Sequence, residues 1–193
     1  NNAAYIIIHS FGQETNLEFY NLLMQLEKQA PVGYILDIRA NPGGYLQSAV
    51  DLIGYFAGGE TALLTKSANE GTRVYAATDH KFLIDKPIIL LTNRYSASAS
   101  EIMAAAFKDY NAGLIIGERT FGKGTVQNMY YDLDGENVKG IVKLTVEQFF
   151  SPLGKAINSV GVSPDIRGSD VDPESLAAMF FGKPGSSKRG FMQ

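Results

Sequence analysis

The sequence predicts an α/β layered domain. Short runs rich in Ile, Leu and Val alternate with longer stretches of helical apolar spacing, turn residues punctuate them, and no repeat or low-complexity linker interrupts the 193 residues. In order, residues 4–8 read as a buried strand, and 15–29, with apolar residues at 19, 22, 23 and 26, as a helix. Residues 33–38 form a strand running into Asn41-Pro42-Gly43-Gly44, and 48–56 a helix closed by Gly58-Gly59. Strands follow at 61–65, 72–78 and 87–92, then a helix over 98–110 and a strand over 112–116. A hairpin pairs 125–133 with 138–146 about Asp134-Gly135. Beyond Pro164-Asp165-Ile166 the pattern weakens to a short helix over 172–181 and a polar, mobile tail over 182–193.

Composition bounds the chemistry. At 45% hydrophobic and 19% charged, the chain is long enough for one well-buried core and too short for two large domains. A net charge of −3 without a basic stripe gives no reason to expect nucleic acid. The longest apolar runs, such as Pro87 to Leu91, reach strand length and fall far below the roughly 20 residues of a spanning helix. Cysteine is absent, which excludes thiol catalysis and disulfides. The first residue is Asn1, with no signal or transit pattern, as expected of a processed form or an excised domain.

Three segments carry chemistry. Ser98-x-x-Glu101 ahead of an alanine-rich run is a capping-box signature, and a helix cap explains it unaided. The functional alternative places Ser98 at a strand-to-helix turn, where the amide of Ala99 faces a developing oxyanion. Gly117 to Lys123 satisfies most of a phosphate-loop pattern. However, Gly124 stands where a magnesium-binding hydroxyl is needed, and the residues after it read as strand instead of helix. An exposed turn lysine is the other simple explanation. Against it stand the flanking glycines Gly122 and Gly124, which permit close backbone approach, and the apolar neighbour Phe121, which would help desolvate Lys123. Desolvation matters because a lysine at its ordinary pKa of about 10.4 is neutral in only about one molecule in 2,500 at pH 7, and only the neutral amine takes a serine's proton. The two histidines, His9 and His80, lack the company a base or a zinc site requires. Asn41 to Gly44 forms a tight turn at a strand end, whose glycine amides can face a ligand or simply turn the chain; Asp37 and Arg39 read as a solvated pair beside it.

From Tyr5 to Ile166 the chain resembles the catalytic core of the carboxy-terminal processing peptidases, or tail-specific proteases. The resemblance rests on the three segments, on Gly161-Val162-Ser163-Pro164-Asp165-Ile166 and on the Ser151-Pro152-Leu153-Gly154 turn. It implies a single-domain Clp-protease/crotonase-like layered fold over residues 1–168, with 169–193 as an extension. It also implies Ser98 as nucleophile, Lys123 as general base and Gln127 as the residue orienting the lysine. Lys123 follows Ser98 by 25 residues, the family's separation, which selects Ser98 over Ser96 and Ser100. The implied oxyanion hole is the amide of Ala99 with that of Gly43 or Gly44. A polypeptide substrate, no metal or organic cofactor, and an extracytoplasmic setting such as the bacterial periplasm follow from the same resemblance. Nothing in the chain resembles the PDZ domain that family members commonly carry upstream, so it implies peptide-bond chemistry more strongly than tail capture. Two other readings are a non-catalytic binding module on the same core, whose expected mark is loss of the serine or lysine, and a crotonase-like acyl-CoA enzyme.

Overall fold

In the computed structural model, which describes residues 2–67, 70–80, 83–131, 141–169, 171–182 and 189–192, strands and helices alternate as the apolar spacing requires. In chain order they are β1 (Ala4–Ile8), α1 (Thr15–Glu27), β2 (Tyr34–Asp37), α2 (Leu46–Ala57), β3 (Thr61–Ser67), β4 (Gly71–Ala76) and β5 (Ile88–Thr92). Next come α3 (Ala99–Asp109), β6 (Gly113–Gly117), β7 (Thr125–Tyr131), β8 (Ile141–Phe150), β9 (Ile166–Arg167), α4 (Pro173–Phe181) and β10 (Arg189–Met192).

A six-stranded sheet in the order β10-β1-β2-β5-β6-β9 is parallel throughout. From β1 to β9 that order follows the chain, so right-handed crossovers carry α1, α2 and α3 to the same face. There Ile6, Leu36, Leu90 and Ile115 pack with Phe19, Ile53 and Phe107. The alternate side chains Ile35, Ile89, Leu91 and Ile116 face the opposite way and meet Leu176 and Ala177 of α4. Covered on both faces, β2 and β5 are buried at every residue, which is why they read as unbroken apolar runs. The alanines of α3 let that helix approach its neighbours closely; Ala104 and Ala106 are fully buried.

A second, antiparallel sheet in the order β4-β3-β8-β7 covers the helical side. Its β3 and β8 contribute Ala62, Leu63 and Phe149 to the same core. The second strand of the expected hairpin extends to Phe150 because β8 also pairs with β3, Leu64 opposite Phe150. The expected turn at Asp134-Gly135 lies outside the described residues. Two further differences concern sheet edges. The short β9 pairs with β6, and residues 189–192, expected in a mobile tail, form β10 by pairing with the edge of β1. Both arise from backbone pairing to an available strand edge, which side-chain periodicity does not encode.

Asp37 and Arg39, expected as a solvated pair, are instead a packed link. Asp37 is buried, accepts from Tyr5 Oη–H at 2.6 Å and pairs with Arg39, whose guanidinium donates to Val171 O at 2.9 Å. Tyr5 thereby joins two other enclosed phenols. Burial first, then the Asp37 carboxylate, pushes Tyr5 up to about 12. Tyr55 is pushed to about 12 by burial and by the nearby charges of Tyr20 and Asp51. Tyr34, buried and donating to Glu27, is raised as well. Folding thus favours the protonated phenols, whereas unfolded tyrosines ionise near pH 10. Their contribution to stability should be fully present below about pH 10 and decline as pH climbs toward 12. An absorbance titration at 295 nm with parallel circular dichroism should show some of the ten tyrosines ionising late, together with loss of structure. Normal titration of all ten with native dichroism retained would contradict this.

Candidate active site

Adjacent parallel strands end side by side, about 4.8 Å apart, so the loops leaving their carboxyl ends share one edge of the sheet. That is why the three motifs meet: they follow β2, β5 and β6, which are neighbours in that order. Asn41, fully buried, stitches the first loop in place. Its Nδ2 donates to Ile8 O at 2.7 Å, its Oδ1 accepts from Gly43 N–H at 2.8 Å, and its carbonyl accepts from Ala97 N–H and Ser100 Oγ–H, both at 3.0 Å. Gly43, at φ +100°, presses so closely on the second motif that a Cβ would lie 2.7 Å from Ala97 O and 2.8 Å from Ser98 Cβ. Only glycine fits there.

The three serines of the second motif differ in what binds them. Ser96 Oγ donates to Ile38 O at 2.8 Å and Ser100 Oγ to Asn41 O at 3.0 Å, and both residues are fully buried. Ser98 lines an open cleft of about 400 Å³ at the sheet's carboxyl edge. Its capping box with Glu101 forms. Yet its backbone, at φ +58° and ψ −116°, is far from the extended conformation usual for a helix cap. A sharp strand-to-helix turn holds the serine in a sparsely populated region, a feature that clusters at functional sites.

Glu101 does more than cap. Fully buried, its Oε2 accepts from Ser98 N–H at 3.0 Å and Lys123 N–H at 2.8 Å, and its Oε1 accepts from Thr120 Oγ1–H at 2.6 Å and Gly122 N–H at 2.7 Å. The glycine–lysine turn is held from its other side by Ser159 N–H donating to Gly122 O at 2.7 Å and Phe149 N–H to Gly124 O at 2.9 Å. Close approach explains the second glycine, since a Cβ on Gly124 would lie 2.3 Å from Asn158 N. The turn is built into the fold, and Lys123 is half-buried. Phe121, expected to desolvate it, is instead 67% exposed, and the apolar wall comes from Leu46, Ile102, Val126 and Phe149. Gly124 leads into strand β7, whereas a phosphate loop must open a helix.

Five of the six residues singled out in the sequence line this cleft: Gly44, Ser98, Ala99, Lys123 and Gln127. Gly43 lies behind it, its N–H taken by Asn41. Gln127 is exposed on β7, and no hydrogen bond joins Lys123 Nζ to it or to Ser98 Oγ among the described residues. Neither histidine lines the cleft; His80 bonds Asp51 O at 2.8 Å and stacks on Tyr55. Sequence reasoning saw Glu101 only as a cap and Asn41 only as part of a turn, and it missed Lys143. The capping box is the one local signal pointing to Glu101.

Replacing Glu101 with alanine strands Ser98 N–H, Thr120 Oγ1–H, Gly122 N–H and Lys123 N–H. Each buried orphan costs about 1–3 kcal/mol, so the variant should lose at least about 3 kcal/mol in urea unfolding. Glu101→Gln, retaining one acceptor oxygen, should lose less. Unfolding midpoints equal to wild type in both would exclude the clamp.

The sequence profile described as peptidase family S41 matches residues 2–167. The chain is 38% identical over 187 residues to the tail-specific protease of Haemophilus influenzae, covering 94% of this chain and 26% of that protein. It is 33% identical over 186 residues to the carboxyl-terminal-processing protease of Picosynechococcus sp., covering 91% of this chain and 44% of that one. The chain thus spans less than half the length of these relatives. Among solved structures, a photosystem II D1 C-terminal processing protease superposes with a TM-score of 0.77 at 35% identity, over 86% of this chain and 42% of that chain. The shared architecture is the Clp-protease-like layered fold expected from the sequence. By the match over residues 2–167 and the identity to these proteases, the chain belongs to peptidase family S41.

Proposed function

We propose that this chain is the catalytic core of a serine endopeptidase that cleaves extended polypeptides near their carboxyl termini with a Ser98–Lys123 pair. The observation that carries the reading is Ser98 itself, held at φ +58° on a strand-to-helix turn and facing a cleft with Lys123, while both neighbouring serines are bonded to buried carbonyls. In the proposed reaction neutral Lys123 Nζ takes the proton of Ser98 Oγ, and the oxygen attacks the substrate carbonyl carbon. The resulting oxyanion accepts from Ala99 N–H, which as the first helical amide has no preceding turn to bond. Gly44 N–H is the second donor. It lines the cleft, whereas Gly43 N–H is already given to Asn41. The lysine ammonium then protonates the leaving amine as the C–N bond breaks. Water attacks the acyl-enzyme, its proton passing to Lys123, and Ser98 Oγ is restored as the new carboxylate leaves. Gln127, lining the same cleft, orients the lysine in this scheme.

An extended substrate suits the edge geometry. Among the described residues β7 is the last strand of its sheet, and its residues Thr125 to Gln127 line the cleft, so its outer backbone edge can pair with a peptide. An extracytoplasmic setting belongs to the same proposal. Among the described residues no helix is long and apolar enough to cross a membrane.

Ser98→Ala and Lys123→Ala should each abolish cleavage of an unfolded protein substrate while circular dichroism stays native. The serine change costs about 1 kcal/mol through the lost cap. Wild-type cleavage should accelerate toward alkaline pH, because only the neutral amine accepts the proton. Full activity in a folded Ser98→Ala variant would overturn the assignment.

A further inference from the structure

The cleft holds a charge that the proposed reaction does not use. Lys143, exposed on β8, lines it together with Lys123, and among the described residues no aspartate or glutamate does. Glu101, the nearest carboxyl behind Ser98, has both oxygens committed to the turn. Among the described residues nothing accepts from Lys143 Nζ, and it enters none of the ion pairs. The strand register places it on the working face: Gln127 pairs with Thr145, and Lys143, two residues further along β8, shares that face. Beside an apolar wall, and paired with no carboxylate among the described residues, this cation is an electrostatic complement to an anionic substrate group.

Resting on the peptidase reading above, we infer that Lys143 is a specificity-determining residue that receives a substrate carboxylate about two to four residues from the scissile bond. The distance follows from the hairpin. Lys143 lies level with Met129, four residues along β7 from Thr125, or about 13 Å, and the long lysine side chain shortens what the substrate must span. The carboxylate is either the chain terminus of a substrate cut near its end or an acidic side chain at the same distance.

Matched peptides distinguish these sources: one with a free terminal carboxylate, its terminal amide, and amides carrying Glu or Gln at successive positions from the cut. In wild type, kcat/KM should favour the carboxylate peptide at the matching distance by about fivefold, the upper range for a partly exposed ion pair. Lys143→Met should bring the ratio of anionic to neutral peptide to one, and Lys143→Glu should invert it in favour of a lysine-bearing peptide. Preference for the free terminus alone identifies the substrate tail, and preference for internal Glu alone identifies a side chain. The same ratios, read as binding of fluorescent peptides to Ser98→Ala by anisotropy, need no turnover. A binding preference without cleavage by wild type would therefore support the carboxylate site while contradicting the peptidase reading. Equal handling of anionic and neutral peptides by wild type, or a ratio unchanged in Lys143→Met and Lys143→Glu, would overturn the inference.

Discussion

The site depends on one buried carboxyl group. Glu101 binds four donors, two on each oxygen, that belong to different parts of the chain: the serine turn after β5 and the glycine–lysine turn after β6. Burying such a group costs several kcal/mol unless its lone pairs are filled, and here every one is. Hydrogen bonds to charged groups contribute about 1.5–3 kcal/mol each, so a saturated clamp offsets that cost and rigidifies the turns together. Because Ser98 N–H and Lys123 N–H share Oε2, displacing either turn disturbs the other.

Around that clamp the backbone is held in conformations it would not choose alone. Ser98 at φ +58°, and Ala40 at φ +57° just before Asn41, are non-glycine residues in the positive region. Such geometry costs of order 1–3 kcal/mol per residue and persists only where neighbours over-determine it. Asn41 supplies that support, bonding β1, its own turn and the serine segment. A core layered on both sides of the parallel sheet makes the supports stiff, and the proposed chemistry needs its donors placed before charge develops.

How much was legible depended on range. The α/β alternation, the helix over α3 and the buried strands followed from apolar periodicity, because burial on both sheet faces writes itself into short hydrophobic runs. The candidate residues were legible as motifs, and the family resemblance, through its 25-residue separation, pointed to Ser98; only the folded chain shows why its neighbours differ, through bonds to Ile38 and Asn41 from distant loops. Glu101 appeared as a local cap, since its partners at 120 to 123 come close only when β5 and β6 lie side by side. Phe121 misled because adjacency in sequence does not fix which way a turn residue faces. Lys143 was invisible, being one polar residue in an exposed strand until the register set it level with Met129, on the face of the hairpin that Gln127 and Thr145 share. Pairing of β9 and β10 to strand edges uses backbone groups that every residue carries.

The most direct measurement is the site and rate of covalent labelling by a fluorophosphonate, read by peptide mass spectrometry. A serine activated by Lys123 across the cleft predicts one adduct, on the peptide containing Ser98, formed slowly or not at all in Lys123→Ala. An adduct on another residue, or equal labelling rates in wild type and a folded Lys123→Ala variant, would contradict it.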